Sequence, residues 1–197
     1  VLVSESNVDH AKEVYNFLKE QGFYYQQYIP CVEFDEQGNL MPFSINGEQW
    51  GKFLTDIFDE WYPEDTRKIS IRHFDSFLEF LLFRRYNVCA MGGACNNYFV
   101  VEHNGDIYPC DFFVEKDLRL GNVMTGEWGA FQASPIYRKF AAAKSTWDEA
   151  CTTCPYLPYC SGDCLKHRYR TEKNPRQMSA LCKGWKKFYS HTEDTFK

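Results

Sequence analysis

Nine cysteines are the side chains of this 197-residue chain best suited to chemistry. Cys31 stands alone, and the other eight form two groups that are separated by 40 residues. The two spacings are Cys89-x5-Cys95-x14-Cys110 and Cys151-x2-Cys154-x5-Cys160-x3-Cys164-x17-Cys182. Eight thiolates suit two sites with four ligands each. Because an odd count would leave one thiol unpaired, we expect metal ligation in a reducing, cytoplasmic compartment rather than disulfide bridges.

The intervals between these cysteines favour iron–sulfur clusters over zinc. Zinc knuckles supply their ligands as two close pairs, whereas this chain has a single C-x2-C pair. A cubic cluster takes one thiolate on each of four irons, so its ligands arrive from turns and from remote segments. A zinc-stabilised binding module without redox chemistry stays open as the alternative.

The overall composition excludes two classes of partner. The net charge is −5, which provides no general attraction to nucleic acid or to anionic lipid. No apolar run approaches the roughly 20 residues of a membrane span, so we expect no membrane partner. The chain begins at Val1 and lacks the pattern of a signal peptide, and we therefore expect a fragment of a longer protein.

The residue pattern of 1–88 predicts alternating strands and helices. Strands are predicted at 1–3, within 23–34 and at 68–72, and helices around 11–18, 50–61 and 77–82. The first helix is expected to begin at Ser6 or Asn7 and to end at Gly22. Apolar side chains recur at helical spacing between Trp50 and Trp61, which predicts a buried helix face. Such alternation is typical of βα architecture.

The amino-acid composition changes at Cys89, after which cysteine, glycine and proline become frequent. We predict a domain boundary there, with one unit at 1–88 and a cysteine-rich unit at 89–197. Asn104-Gly105 between two apolar runs predicts a β-hairpin with a two-residue type I′ turn. Ser134-Pro135 predicts the start of a helix that runs to Ala143.

The order of the eight cysteines resembles the SPASM domain, the C-terminal auxiliary-cluster module of certain radical S-adenosylmethionine enzymes. Four short motifs around these cysteines resemble those of the anaerobic sulfatase-maturating enzymes within that group. They are Cys89-Ala-Met-Gly-Gly-Ala-Cys95, Ile107-Tyr-Pro-Cys-Asp-Phe-Phe113, Leu120-Gly-Asn-Val123 and Cys160-Ser-Gly-Asp-Cys164. The resemblance implies an α+β fold, in which the end of a partial β/α barrel precedes a small SPASM domain with a hairpin and short helices around two clusters.

The resemblance also implies how the cysteines divide between two auxiliary 4Fe–4S clusters. The first cluster would be held by Cys89, Cys95, Cys110 and Cys164, and the second by Cys151, Cys154, Cys160 and Cys182. Spacing alone would have grouped Cys164 with its neighbours in the second set. Cys31 is read as a structural thiol on a strand.

The same resemblance implies a function. Asp111 would act as the base that takes a proton from a Cys or Ser side chain, which is oxidised to Cα-formylglycine in an unfolded sulfatase segment. The auxiliary clusters would accept the electron, and a reductant such as flavodoxin or ferredoxin would be a partner. S-adenosylmethionine and a third 4Fe–4S cluster would belong to a missing N-terminal part, because this chain lacks the C-x3-C-x2-C motif. The fragment alone is therefore expected to be inactive. A radical maturase of another peptide or protein is the alternative within the same class.

Overall fold

The computed structural model describes residues 1–170 and 176–197. The helices are α1 Ala11–Glu20, α2 Gly47–Trp61, α3 Arg72–Phe83, α4 Trp128–Ala133, α5 Pro135–Ala143, α6 Glu149–Thr152, α7 Leu157–Cys160 and α8 Cys182–Phe196. The strands are β1 Leu2–Val3, β2 Tyr25–Gln26, β3 Ile29–Pro30, β4 Ser70–Ile71, β5 Val100–Val101, β6 Asp106–Tyr108 and β7 Gly121–Asn122. This mixture of helices and short strands confirms the predicted α+β class.

The strands before Cys89 pair in parallel, and those after it pair antiparallel. β1 pairs with β3 and β2 pairs with β4, each as a two-stranded parallel sheet. β5, β6 and β7 form one antiparallel sheet of three strands, one strand more than the predicted hairpin. The described strands form no closed barrel.

Helix α2 is the centre of the core, as its apolar spacing predicts. Asn46 caps its first turn by accepting hydrogen bonds from the backbone N–H groups of Glu48 and Gln49. Trp50, Phe53 and Trp61 are buried on the inner face. The core therefore forms where sequence periodicity places it.

Helix α8 packs directly on α2 through glycines. A Cβ atom added at Gly184 would lie only 2.4 Å from the carbonyl oxygen of Gly47, so the two backbones touch. Phe188 of α8 stacks on Phe74 of α3 with ring centroids 5.2 Å apart. Because Cys182 is the first residue of α8, this packing holds a predicted cluster ligand against the core of residues 1–88. The boundary at residue 88 stays a prediction.

Two local predictions are wrong. α1 begins after His10, and Asn7 instead uses its side chain to accept from the N–H of Ser4 and to donate to the carbonyl of Leu2. In the hairpin only Gly105 has a positive φ, whereas a type I′ turn needs two such residues. Asn104 instead accepts a side-chain hydrogen bond from the N–H of Asp106, a local competitor for the tight turn.

Candidate functional site

Four of the predicted ligands surround one cavity beside the three-stranded sheet. Its volume is about 450 Å³, counted with the space open to solvent, and Cys89, Cys95, Cys110 and Cys164 all line it. Cys89 begins a 3₁₀ turn, Cys110 follows β6, and Cys164 precedes another 3₁₀ turn. Three separate segments thus bring four thiols to one place.

The other four predicted ligands surround a second cavity of about 420 Å³, again with the space open to solvent included. Cys151, Cys154, Cys160 and Cys182 line it. Cys151 lies in α6, Cys160 ends α7, and Cys182 begins α8. The two cavities therefore divide the eight cysteines as the resemblance implies, including the separation of Cys164 from Cys160.

The donor sets of both cavities fit metal clusters. Burial raises the pKa of Cys110 to about 11 and the pKa values of Cys160 and Cys164 to about 12. A thiolate at such a position needs nearby positive charge, which the irons of a cluster would supply. In the described part of the chain no three His, Cys, Asp or Glu side chains converge on the position of a single metal ion. The four thiols of each set instead enclose a cavity.

Tyr98 is a further polar group at the first cavity, and no motif points to it. Its hydroxyl lies 3.8 Å from the Sγ atoms of both Cys89 and Cys110. The Sγ of Cys110 also lies 3.3 Å from Oδ1 of Asp111. The first set of thiols thus has a hydroxyl and a carboxylate beside it.

A third, larger cavity of about 1180 Å³, with its open space included, lies between the early residues and the first thiol set. Asp111 lines it, together with Cys89 and Cys164. Tyr28, Trp50, Arg72 and His73 line it from the other side. Packing against aromatic rings desolvates His73 and lowers its pKa to about 4, which leaves the ring neutral at pH 7. Asp111 therefore faces a space large enough for a substrate segment, next to the first thiol set.

Three buried charged side chains lie between the two thiol sets. Lys144 and Asp163 are 0% and 2% exposed, and Arg168 is 4% exposed. Burial alone would raise the pKa of Asp163, but His167, Ser179 and Lys144 outweigh it and hold that pKa below its usual range. No sequence motif singles out Lys144 or Arg168. Asp163 occurs in the motif Cys160-Ser-Gly-Asp-Cys164, but that motif does not predict its contact with the two cations.

Cys31 lies away from the two thiol sets and lines neither of their cavities. It follows β3, its N–H donates to the carbonyl of Val3, and burial raises its pKa. Cys31 is thus half-buried and lies directly after β3 rather than on it, and its role as a structural thiol stays a prediction. Among the described helices none has both the length and the apolar character that a membrane crossing requires.

Comparisons with known proteins agree with this geometry. Residues 89–155 match the SPASM family, an iron–sulfur cluster-binding domain. A serine-type anaerobic sulfatase-maturating enzyme of Bacteroides thetaiotaomicron is 34% identical over 207 residues, which cover 96% of this chain and 50% of that enzyme. A cysteine-type enzyme of Clostridium perfringens is 30% identical over 194 residues, which cover 96% of this chain and 52% of that enzyme. The chain thus spans about half the length of these curated relatives.

Solved structures give the same result. "Native anSMEcpe with bound AdoMet" superposes with a TM-score of 0.90 at 30% identity, covering 99% of this chain and 54% of that one. "Native anSMEcpe with bound AdoMet and Cp18Cys peptide" matches equally well, with 55% of that chain covered. The chain is therefore similar, in both sequence and fold, to the C-terminal SPASM part of the radical S-adenosylmethionine enzymes known as anaerobic sulfatase-maturating enzymes.

Proposed function

We propose that this chain is the cluster-binding half of an enzyme that oxidises a Cys or Ser of a sulfatase to Cα-formylglycine. The observation that carries the proposal is the division of eight cysteines between two cavities. The first set holds one 4Fe–4S cluster and the second set holds another, within a SPASM unit at 89–197. When bound, the clusters supply an acceptor for the electron that leaves the substrate.

Asp111 is the proposed base. It lines the large cavity that also exposes Cys89 and Cys164, so a side chain bound there lies beside both the carboxylate and the first thiol set. A carboxylate within hydrogen-bond reach takes the thiol or hydroxyl proton of the substrate. The half-exposed ring of Phe112 also lines the cavity and offers an apolar contact for the same segment.

The remaining wall of this cavity suits an extended polypeptide. Gln27, Asn87 and Asn97 line it, and carboxamide side chains donate to and accept from peptide backbone. Arg72 is held in place by donating to Oε1 of Gln27 and to the carbonyl of Asn87. An unfolded sulfatase segment is therefore the proposed substrate, in agreement with the peptide present in one of the matched structures.

The radical-generating part lies outside this chain. S-adenosylmethionine and a third 4Fe–4S cluster are assigned to the other half of the full-length protein, since this chain contains no C-x3-C-x2-C motif. A small electron carrier such as flavodoxin or ferredoxin is the proposed reductant. The fragment alone is expected to bind clusters without turnover.

The cluster assignment is tested by metal content and colour. After anaerobic reconstitution this chain is expected to bind about eight irons with equal sulfide, since each cube holds four. Brown protein that absorbs near 400 nm from thiolate-to-iron charge transfer is the expected appearance. Cys31→Ser serves as the matched control and should leave the iron content unchanged. Colourless protein that prefers zinc over iron would contradict the proposal and favour the zinc-stabilised module.

A further inference from the structure

Residues 161–163, here called the connector, join Cys160 of the second thiol set to Cys164 of the first. Cys160 precedes it and lines the second cavity, whereas Cys164 follows it and lines the first. Residues four apart lie on the same face of an α-helix, so a continued α7 would direct both thiols to one site. Separation of the two sulfurs therefore depends on the conformation of three residues.

These three residues are all left-handed. Ser161, Gly162 and Asp163 have φ values of +46°, +69° and +65°. L-residues avoid this region because Cβ approaches the neighbouring carbonyl, and only glycine enters it freely. Two of the three residues therefore need outside support to keep this conformation.

Two buried cations supply that support through the carbonyl groups of the connector. Arg168 donates from Nε to the carbonyl of Gly162 at 2.7 Å, and from one terminal nitrogen to those of Ser161 at 3.0 Å and Asp163 at 2.7 Å. Lys144 donates to the carbonyl of Ala90 at 2.8 Å, and also to those of Ser161 and Asp163. Three acceptors match the three donors of a protonated lysine.

The connector is also tied to both thiol sets through the side chain of Asp163. Its Oδ2 accepts from Nδ1 of His167 at 2.8 Å and from Oγ of Ser179 at 2.6 Å. His167 lies three residues after Cys164, and Ser179 lies three residues before Cys182. Gly162 fits closely, because a Cβ there would lie 2.7 Å from a terminal nitrogen of Arg168.

The charges of this cluster do not balance among the three side chains. Lys144 and Arg168 are buried with a single carboxylate, that of Asp163. Lys144 lines the first cavity, and the Gly162 that Arg168 holds lines the second. Buried cations are costly unless anions compensate them, and the thiolates of two clusters would provide the missing negative charge.

We propose that Lys144 and Arg168 form a cationic clamp on residues 161–163 that directs Cys160 and Cys164 to different clusters and raises the reduction potentials of those clusters. This inference rests on the proposed ligation of two clusters. A nearby positive charge stabilises the reduced form, because reduction adds negative charge to the cluster. The two residues are positioning residues, since they act on the ligands and not on the substrate.

The test is a redox titration of the reconstituted full-length protein, followed by electron paramagnetic resonance, with iron content measured in parallel. Lys144→Met is expected to lower the reduced-to-oxidised ratio of the first cluster at least tenfold at a fixed potential, which is about 59 mV for one electron. Lys139→Met is the matched control, because Lys139 is exposed on the neighbouring helix α5. It should change neither potential nor iron content.

Arg168→Lys separates charge from geometry. Lysine retains the positive charge but not the planar fork that holds several carbonyls. For the clusters that form, we expect the reduced-to-oxidised ratio at a fixed potential to stay within about twofold of the wild-type value. The iron content should fall. Should Lys144→Met fail to fold, this variant alone decides, and wild-type iron content in it would overturn the clamp.

Each remaining result also has a defined meaning. Clusters of unchanged potential in Lys144→Met would overturn the electrostatic role of the clamp. Wild-type protein without two auxiliary clusters would instead overturn the proposed function. The two failures are distinguishable because the first requires wild-type clusters to be present.

Discussion

The two thiol cavities differ in what surrounds them. The first lies beside the three-stranded sheet, and two of its cysteines also line the large cavity with Asp111. The second lies against the aromatic core, where Trp185 and Leu157 line it and α8 packs on α2. None of its four cysteines lines the large cavity. Under the proposed function, this difference would assign contact with substrate to the first site and anchoring in the core to the second.

Removal of the carboxylate at the first site is expected to have the largest effect. Asp111→Asn in the full-length protein should lower turnover by about 10²- to 10⁴-fold, because a positioned base contributes that much to proton transfer. The measurement is formylglycine formation in a sulfatase peptide, followed by mass spectrometry.

Asp117→Asn is the control for this loss, since Asp117 is exposed in a nearby 3₁₀ turn and does not line the large cavity. Iron content should match wild type in both variants. Turnover near wild type in Asp111→Asn would remove the base assignment and leave the large cavity without its proposed role.

A second change acts on the core that anchors the other site. Phe188 is fully buried and stacks on Phe74, so Phe188→Ala should reduce the free energy of unfolding by about 3–5 kcal/mol. Because α8 begins at Cys182, iron should be lost from the second site first during denaturant titration. Fluorescence and iron release would be followed together.

Phe17→Ala is the matched aromatic control, since the Phe17 side chain is 59% exposed. Its effect should stay within about 0.5 kcal/mol. Simultaneous loss of iron from both sites in Phe188→Ala would show that the two sites unfold as one unit, which would contradict the distinction between them.

The smallest expected effect concerns Tyr98. Tyr98→Phe removes the hydroxyl that lies 3.8 Å from the sulfurs of Cys89 and Cys110. Loss of one such hydrogen bond is worth about 0.5–1.5 kcal/mol, so the potential of the first cluster alone should fall slightly. Redox titration measures this shift, and Tyr86→Phe is a control because Tyr86 does not line the first cavity. An equal shift of both clusters would argue against a local effect.

Regular elements were the part of the fold that sequence patterns predicted well. The apolar stripe of α2 and the start of α5 at Pro135 agree with the structure, because periodicity and the fixed φ of proline act locally. The start of α1 and the hairpin turn were wrong for a related reason. Asn7 and Asn104 both use their side chains for other local hydrogen bonds, and sequence alone does not show which partner is chosen.

The candidate site divides in the same way. The roles of the eight cysteines and of Asp111 were predicted from cysteine spacing and from resemblance to a family, because these residues occur in recognisable sequence motifs. Lys144 and Arg168 have no such signal, and Asp163 occurs in the motif Cys160-Ser-Gly-Asp-Cys164 without any indication of its buried partners. They become one cluster only where the carbonyls of the connector turn inward, and nothing local to any of them requires that arrangement.

The sequence by itself determined the number of thiols, their spacing and the aromatic core, because composition and periodicity are properties of the chain. Only the tertiary structure decided that Cys160 and Cys164 face different cavities. The physical reason is the left-handed conformation of residues 161–163, in which each non-glycine residue costs about 1–2 kcal/mol, which is offset by hydrogen bonds from the distant Lys144 and Arg168. Hydrogen bonds from Lys144 and Arg168 to residues 161–163 thus accompany the separation of two thiol sets that spacing alone would merge.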